Sequence, residues 1–216
     1  NPTGRVFTRK EIEKMADICL RHNLIILSDE IHQDIVYSGN QHIPIASLSK
    51  EVENRTITFT AASKTYNIAG LKCSYAIIPN PELRTSFDLG GAGLVDSVSV
   101  LGLTATEAAL RYGGAWLVDS LRYLEDNRNY LFSEIEKIDG ITAYAPEGTF
   151  LSWLDCSGLD LPEPASRFFY DKAKIAFNDG STFGEEYDQF VRLNFGCSFA
   201  TLKKAIAAMR QSLSDR

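Results

Sequence analysis

The chain has 216 residues, of which 44% are hydrophobic and 23% are charged, and this balance is typical of a globular protein with one or two domains. The net charge of −6 argues against a nucleic-acid partner, and no apolar run is long enough to span a membrane. The four cysteines lie far apart without metal-ligand spacing, so we expect free thiols, a cytoplasmic location and no metal site.

The first half of the sequence alternates between predicted helices and predicted strands. Thr8 and Glu11 have the spacing of a capping box, and apolar residues at helical spacing follow as far as Asn23. The continuous apolar run at residues 24–27 predicts a short buried strand of a parallel sheet. Further helical and strand segments are predicted at residues 45–52, 56–60 and 75–78, and a helix begins after the Pro-Asn-Pro turn at 79–81. This alternation is typical of an α/β fold.

The second half of the sequence has a different pattern. A helix is predicted at residues 100–112, and two glycines separate it from a long amphipathic helix at residues 116–137. Its candidate buried positions are Leu117, Leu121, Leu124, Tyr130, Leu131 and Ile135. Strands and helices follow at residues 141–145, 150–155, 165–173, 175–178, 191–195 and 201–213. We therefore predict two domains, residues 1–112 and residues 113–216, the second being a small α+β domain.

Lys64 stands after a predicted strand and a turn of small residues. Ligands of open α/β sheets bind at the carboxyl ends of the strands. A lysine held there, out of bulk water, loses its proton more easily, and the neutral amine forms imines with carbonyl compounds. Asp29 likewise follows the predicted strand at residues 24–27. Taken alone, however, Lys64 also fits a solvated loop lysine, and Asp29 fits a helix cap.

Five motifs, taken together, resemble the signature of the fold-type I pyridoxal-phosphate enzymes, the class I/II aminotransferase family. They are NPTG (1–4), SDEIH (28–32), SKTYN (63–67), GLK (70–72) and VRLNFG (191–196). Within this family the chain most resembles the cystathionine β-lyase-like C–S lyase branch, through DEIH, SKTYNIAGL (63–71) and PEGTFLSWLD (146–155). The resemblance implies the later part of a mostly parallel cofactor-binding large domain, followed by the small domain. Roughly the first half of such an enzyme has no counterpart here.

The resemblance also implies a role for each residue around the cofactor, pyridoxal 5'-phosphate. Lys64 would bond the cofactor and later take the Cα proton of the substrate. Asp29 would keep the ring nitrogen cationic, so that the ring accepts electrons. His32 and Asn1 would hydrogen-bond to the phenolic oxygen. Taken alone, His32 also fits a structural histidine and Asn1 a plain Asn-Pro turn.

The phosphate and the substrate carboxylate have their own candidates. Ser63 and Lys72 would bind the phosphate, although many relatives have an arginine where this chain has Lys72 and a serine where it has Ala61. Arg192 would bind the α-carboxylate of an amino-acid substrate, because a guanidinium matches a carboxylate in two parallel hydrogen bonds. Taken alone, Arg192 also fits a surface ion pair. We interpret three nearby aromatic residues, Tyr66, Trp153 and Phe183, as packing.

The resemblance predicts a homodimeric C–S β-lyase that acts on cystathionine or cysteine-type amino acids and releases pyruvate, ammonia and a thiol. An aminotransferase is the alternative, because it shares the first steps of the reaction. A third hypothesis is a truncated, non-catalytic fragment that acts as a binding or assembly module. Such a fragment would expose an apolar sheet edge and would associate with other chains.

Overall fold

The computed structural model describes residues 1–94 and 97–215, which form two compact units. The first unit is Val6–Asp119, and the second unit combines Asn1–Arg5 with Ser120–Arg216. The predicted domains, residues 1–112 and 113–216, concern the whole enzyme and stay a prediction. A membrane span would need a longer and more apolar helix than any found among the described residues.

The first unit alternates short helices and strands, as the sequence predicts. Its elements are α1 (Arg9–Arg21), β1 (Ile26–Asp29), α2 (Lys50–Glu53), β2 (Thr56–Thr60), α3 (Ala62–Thr65), β3 (Tyr75–Ile77), α4 (Pro81–Gly91) and α5 (Val100–Tyr112). The capping box is present: Thr8 N donates to Glu11 Oε2 at 2.8 Å, and Glu11 N donates to Thr8 Oγ1 at 3.4 Å. The long helix α6 (Gly114–Ile135) starts in this unit and ends in the second.

The sheet of the first unit has the strand order β1-β2-β3. β1 and β2 are parallel, with Asp29 opposite Phe59, whereas β2 and β3 are antiparallel, with Thr60 opposite Tyr75. β1 starts two residues later than predicted, because Leu24 N still closes the end of α1 through a 2.8 Å bond to Cys19 O. Asp29 is therefore the last residue of the strand, whereas the predicted strand ended two residues before it.

The second unit contains a four-stranded antiparallel sheet in the order β4-β5-β7-β6. Its elements are β4 (Thr142–Ala143), β5 (Leu151–Asp155), α7 (Ala165–Phe168) with a π-helical turn (Phe169–Ala173), β6 (Asn178–Asp179), β7 (Phe190–Asn194) and α8 (Phe199–Ser214). The side chains of Leu131, Leu154, Val191 and Met209 are fully buried. Asn127 on α6 donates to Phe195 O at 3.0 Å and to Cys197 O at 2.9 Å.

Candidate functional site

The carboxyl ends of β1 and β2 place Asp29 and Lys64 at one edge of the sheet. Asp29 ends β1 beside Phe59 of the parallel strand β2. β2 ends one residue later at Thr60, and α3, which carries Lys64, begins at Ala62. Asp29 and Lys64 therefore lie at or just beyond the carboxyl ends of two adjacent parallel strands, where ligands of open α/β sheets bind.

Lys64 is half-buried, and its Nζ makes no hydrogen bond or ion pair with any described residue. The next residue fixes α3 to the segment after β1, because Thr65 Oγ1 donates to Asp34 Oδ2 at 2.9 Å. Asp34 lies two residues beyond His32. This buried threonine therefore joins the helix of Lys64 to the segment that carries Asp29 and His32.

Asp29 is exposed and takes part in a tight turn. Its Oδ1 accepts a 3.2 Å hydrogen bond from Ile31 N, which fixes the carboxylate against its own backbone. The turn continues through His32, whose carbonyl oxygen accepts a 2.9 Å bond from Ile35 N. His32 itself is half-buried. One oxygen of Asp29 thus stays available for a cationic partner at the sheet edge.

Glu30 holds this turn in place from inside the protein. Its carboxylate is 3% exposed and accepts hydrogen bonds from Ser28 Oγ at 2.9 Å and His42 Nε2 at 2.8 Å. Glu30 N also donates to Phe59 O at 2.8 Å. Burial alone would raise the pKa of Glu30, but the bonds from His42, Ser28 and Ile45 N–H and the charge of His42 lower it below its ordinary value. Glu30 is therefore buried and ionised, and it anchors the turn that follows Asp29.

The two phosphate candidates lie at opposite ends of the segment between α3 and β3. Ser63 is half-buried in the first turn of α3, and Lys72 is exposed, with a left-handed φ of 50° just before β3. Ala61 is the N-cap of α3 and supplies no side-chain hydrogen bond. The structure shows no direct hydrogen bond between the two candidates, Lys72 and Ser63, both of which are described residues.

Helix α5 supports this segment through two close approaches. A Cβ on Gly102 would lie 2.6 Å from Leu71 O, and a Cβ on Gly113 would lie 2.4 Å from Cε1 of Tyr66. The Tyr66 ring also lies 6.0 Å from the ring of Trp116. Only glycine lets the backbone of α5 come this near to the segment that follows Lys64.

In the second unit, Arg192 of β7 is surrounded by neutral groups. Its Nη1 donates to Asn1 Oδ1 at 2.8 Å, and its Nη2 donates to Asn178 Oδ1 at 3.0 Å. Its guanidinium carbon lies 5.1 Å from the ring centre of Phe183, which packs edge-on against Trp153 at 5.2 Å. The structure thus brings Asn1 to Arg192, although 191 positions separate them in the sequence.

The turn at residues 1–4 is fixed to the second unit by Gly4. The carbonyl oxygen of Gly4 accepts hydrogen bonds from Glu147 N at 2.8 Å and Gly148 N at 3.1 Å. Gly4 has a φ of +71°, and a Cβ there would lie 2.3 Å from Cβ of Pro146. Glycine is thus required at this position, and its contacts hold Asn1 near β7.

Comparison with known proteins shows which family the chain belongs to. Residues 1–209 match the family model of aminotransferase class I and II. The chain belongs to this family. It is similar to a cystathionine beta-lyase of Corynebacterium glutamicum, with 37% identity over 95% of this chain and 55% of the relative. The fold is similar to that of the crystal structure of OvoB, with a TM-score of 0.95 and 44% sequence identity. The match covers 100% of this chain and 56% of OvoB.

A third similar protein is cystalysin of Treponema denticola, whose crystal structure contains pyridoxal 5'-phosphate. Its TM-score is 0.94 at 33% identity, over 100% of this chain and 55% of that one. The chain thus spans a little more than half the length of the proteins it matches. The aminotransferase family is therefore established for this chain, whereas the activity of the whole enzyme is a matter for proposal.

Three residues of the site lie outside the aminotransferase motifs: Asp34, His42 and Asn178. Glu30 lies within the motif at residues 28–32, and its partner His42 lies 12 residues away across a turn. Asn178 meets Arg192 only through the β6/β7 register. The one available signal was a carboxylate close behind an apolar run, because a carboxylate that is buried there needs a partner.

Proposed function

We propose that the chain carries the cofactor lysine and the substrate-binding arginine of a pyridoxal-phosphate-dependent C–S β-lyase. The substrates would be cystathionine or cysteine-type amino acids, and the products pyruvate, ammonia and a thiol. One observation carries this proposal: Asp29 ends β1, Lys64 lies just beyond the same end of the adjacent parallel strand β2, and the amine of Lys64 has no partner among the described residues. The similar cystathionine beta-lyase supports the choice of reaction.

The groups at the sheet edge fit the cofactor. Pyridoxal phosphate needs an amine for its carbonyl, an anion for its ring nitrogen and donors for its phosphate. Lys64 Nζ, Asp29 Oδ2 and Ser63 Oγ have no hydrogen-bond partners within residues 1–94 and 97–215, so all three are available for these roles. Lys72 supplies a further positive charge, which can bind phosphate as a point charge without the fork of an arginine.

In the proposed mechanism each residue has a defined task. When bound, the cofactor supplies a carbonyl carbon that bonds amines and a cationic ring that takes up electrons. Lys64 would hold the cofactor through Nζ and would serve as the base for the Cα proton of the substrate. Asp29 would face the ring nitrogen and keep it protonated, and the position of its carboxylate is fixed by the bond from Ile31 N. Glu30 holds the turn that carries Asp29 and His32.

Three further residues would orient the cofactor and the substrate. Asn1 and His32 would hydrogen-bond to the phenolic oxygen of the cofactor. Arg192 would bind the α-carboxylate, and in doing so it would fix which bond to Cα stands perpendicular to the ring. Loss of the β-thiol would require prior loss of the Cα proton, so the lyase reaction would need Lys64 as the base.

An aminotransferase is the second candidate, because the matched family model covers residues 1–209 and bears that description. Both reactions use Lys64 as the base, so they differ in the fate of the electrons that leave Cα. An assay separates them: a lyase releases thiol and pyruvate from cystathionine without an amino acceptor. An aminotransferase forms the keto acid only when an acceptor keto acid is present.

We propose a homodimer in the cytoplasm as the working state of the enzyme. The free cysteines Cys19, Cys73, Cys156 and Cys197 support a reducing compartment. Exposed apolar residues of the first unit, such as Leu27 at 67% exposure, support association with further protein. Sedimentation at several protein concentrations tests this part of the proposal.

Covalent trapping tests the proposal on the chain itself. We expect that pyridoxal phosphate added to the folded chain gives visible absorbance, and that borohydride reduction links the cofactor to the peptide containing Lys64. The variant Lys64→Ala should lose the label, whereas Lys50→Ala, at an exposed lysine that pairs with Glu53, should keep it. A folded chain that takes up no label at Lys64 would overturn the proposal and favour a non-catalytic binding module.

A further inference from the structure

We propose that Asn178 is a positioning residue for Arg192: its amide oxygen fixes the guanidinium while leaving the positive charge available to a substrate carboxylate. This inference rests on the proposed function, in which Arg192 binds the α-carboxylate. It assigns a task to a residue that is outside the five motifs.

The hydrogen bonds of Arg192 orient its charge without neutralising it. Both acceptors, Asn1 Oδ1 and Asn178 Oδ1, are neutral amide oxygens. Within the part of the chain that the structure describes, Arg192 forms no ion pair with an aspartate or glutamate. Each terminal nitrogen carries two hydrogens, so one on each remains for a ligand after the amide bonds are made.

The sheet register places Asn178 beside Arg192. Asn178 of β6 and Trp153 of β5 are the residues directly opposite Arg192 on its two neighbouring strands. Directly opposite residues point to the same face of a sheet. The guanidinium is therefore bordered by an amide on one side and by the aromatic pair of Trp153 and Phe183 on the other.

The direction from which a ligand can approach follows from burial. Nε of Arg192 is buried and has no acceptor among the described residues. A carboxylate cannot reach Nε, so it must bind at the terminal nitrogens, which are the atoms that Asn178 and Asn1 orient. The ring of Phe183 over the guanidinium also fixes its plane.

The amide at position 178 is neutral, whereas a carboxylate there would carry a negative charge. An aspartate there would form a charge-assisted pair with Arg192 and would compete with the substrate for the same nitrogens. The neighbouring carboxylate, Asp179, is occupied elsewhere, because its Oδ1 accepts a 2.9 Å bond from Ser181 N. An alanine at 178 would release Nη2 and leave the orientation of the guanidinium to Asn1 and Phe183.

Fluorescence of Trp153 gives a direct test that needs no cofactor. The chain has two tryptophans, so the variant Trp116→Phe leaves Trp153 as the only tryptophan, and excitation at the red edge of indole absorption avoids the tyrosines. In this background, sodium propionate is titrated against the folded chain, with sodium chloride at equal ionic strength as the control. We expect saturable binding of propionate, weakened at least about tenfold by Asn178→Asp and several-fold by Asn178→Ala.

A matched control separates the effect of position 178 from an effect of added charge. Asn129→Asp introduces the same charge on an exposed position of α6 in the same unit and should leave propionate binding unchanged. Circular dichroism and thermal unfolding confirm that each variant is folded. Equal affinity in folded Asn178→Asp and wild type would overturn the inference, and so would a response that chloride reproduces in full.

The cofactor-loaded enzyme provides a second readout. We expect Asn178→Asp to raise KM for the amino acid much more than it lowers kcat. Asn178→Gln, which keeps an amide, should bind the amino acid more tightly than Asn178→Ala does. Labelling of Lys64 without any effect of Asn178→Asp on KM or on propionate binding would overturn this inference but not the proposed function. If instead the chain takes up no cofactor but Asn178→Asp loses propionate binding, the inference about Asn178 stands and the proposed function is overturned.

Discussion

The two units differ in how completely they bury their apolar residues. In the second unit, Leu154 of the sheet and Met209 of α8 are fully buried. In the first unit, Leu27 of β1 is 67% exposed and Ile77 of β3 is 51% exposed. Leu27 lies opposite Ile57, and Ile77 lies opposite Thr58, so the two exposed residues are on opposite faces of the sheet.

This difference in apolar exposure indicates which unit has a core that its own residues close. Sheets with parallel strands are usually covered on both faces, and the first unit leaves part of each face uncovered. A buried cluster of Ala16, Ile26, Ile45 and Val52 lies between α1, β1 and α2. We therefore expect the unit that carries Lys64 to need further protein surface, whereas the second unit, which carries Arg192, has fully buried core residues of its own.

The largest expected effect comes from opening the closed core. Leu154→Ala should lower the free energy of unfolding by about 2–5 kcal/mol, because it leaves a cavity between fully packed neighbours. The matched change Leu27→Ala, at an exposed residue, should change it by less than about 0.5 kcal/mol. Urea unfolding of the two variants measures both. Equal losses would mean that Leu27 is covered in solution and that the two units do not differ as described.

The second effect concerns the buried anchor of the first unit. Glu30→Ala removes the acceptor of Ser28 Oγ and His42 Nε2 and should lower the free energy of unfolding by about 2–3 kcal/mol. Ser47→Ala, which removes an exposed hydroxyl that donates to Pro44 O, is the control and should have a small effect. If Glu30→Ala is as stable as Ser47→Ala, the anchor contributes nothing to the turn.

The effect of Glu30 should also depend on pH. The pKa of Glu30 in the folded chain lies below its ordinary value of 4.5, since the hydrogen bonds and the charge of His42 outweigh burial. Its contribution is therefore present above about pH 4.5 and is lost as the pH falls through the folded-state pKa. We expect the stability difference between wild type and Glu30→Gln to shrink below pH 4.5. A difference that grows on acidification would contradict the ionised form.

Local sequence signals predicted most of the fold. The Thr8–Glu11 capping box, the alternating strand Thr56–Thr60 and the helix Val100–Tyr112 all appear with the expected bounds, because caps and periodicity act within a few residues. β1 was misplaced by two residues, since its start depends on pairing with β2 and not on its own apolar run. In α6, Leu131 and Ile135 are buried as predicted.

The site was less predictable than the fold, for a physical reason. Family motifs pointed to Asp29, Lys64 and Arg192, whose chemistry is local to each motif. The contacts around these residues depend on the tertiary structure: Asn178 meets Arg192 on the adjacent strand, and Thr65, which follows Lys64, bonds to Asp34, 31 positions away. Asn127, a buried polar residue of α6, was missed in the same way, because its partners lie 68 and 70 positions away. No periodicity in the sequence encodes such pairs.

A smaller effect should follow from removing the hydrogen bond between Thr65 and Asp34. Thr65→Val removes the bond to Asp34 at nearly constant volume and should lower the free energy of unfolding by about 1 kcal/mol. It should also slow borohydride labelling of Lys64, because α3 is no longer joined to the segment after β1. The control Thr85→Val removes an exposed hydroxyl that donates to Pro81 O in α4 and should leave labelling unchanged. Equal labelling rates would show that Thr65 does not position Lys64.

The smallest effect on stability, and the sharpest test of the comparison, comes from the uncovered faces. Leu27→Ser combined with Ile77→Ser should change the free energy of unfolding by no more than about 1 kcal/mol, because both side chains are already largely in water. The same double change should reduce self-association, measured by sedimentation at several concentrations. Met15→Ser with Ile18→Ser, on exposed positions of α1, is the matched control. If both pairs of changes reduce association equally, general surface hydrophobicity drives it, and the sheet faces have no special part.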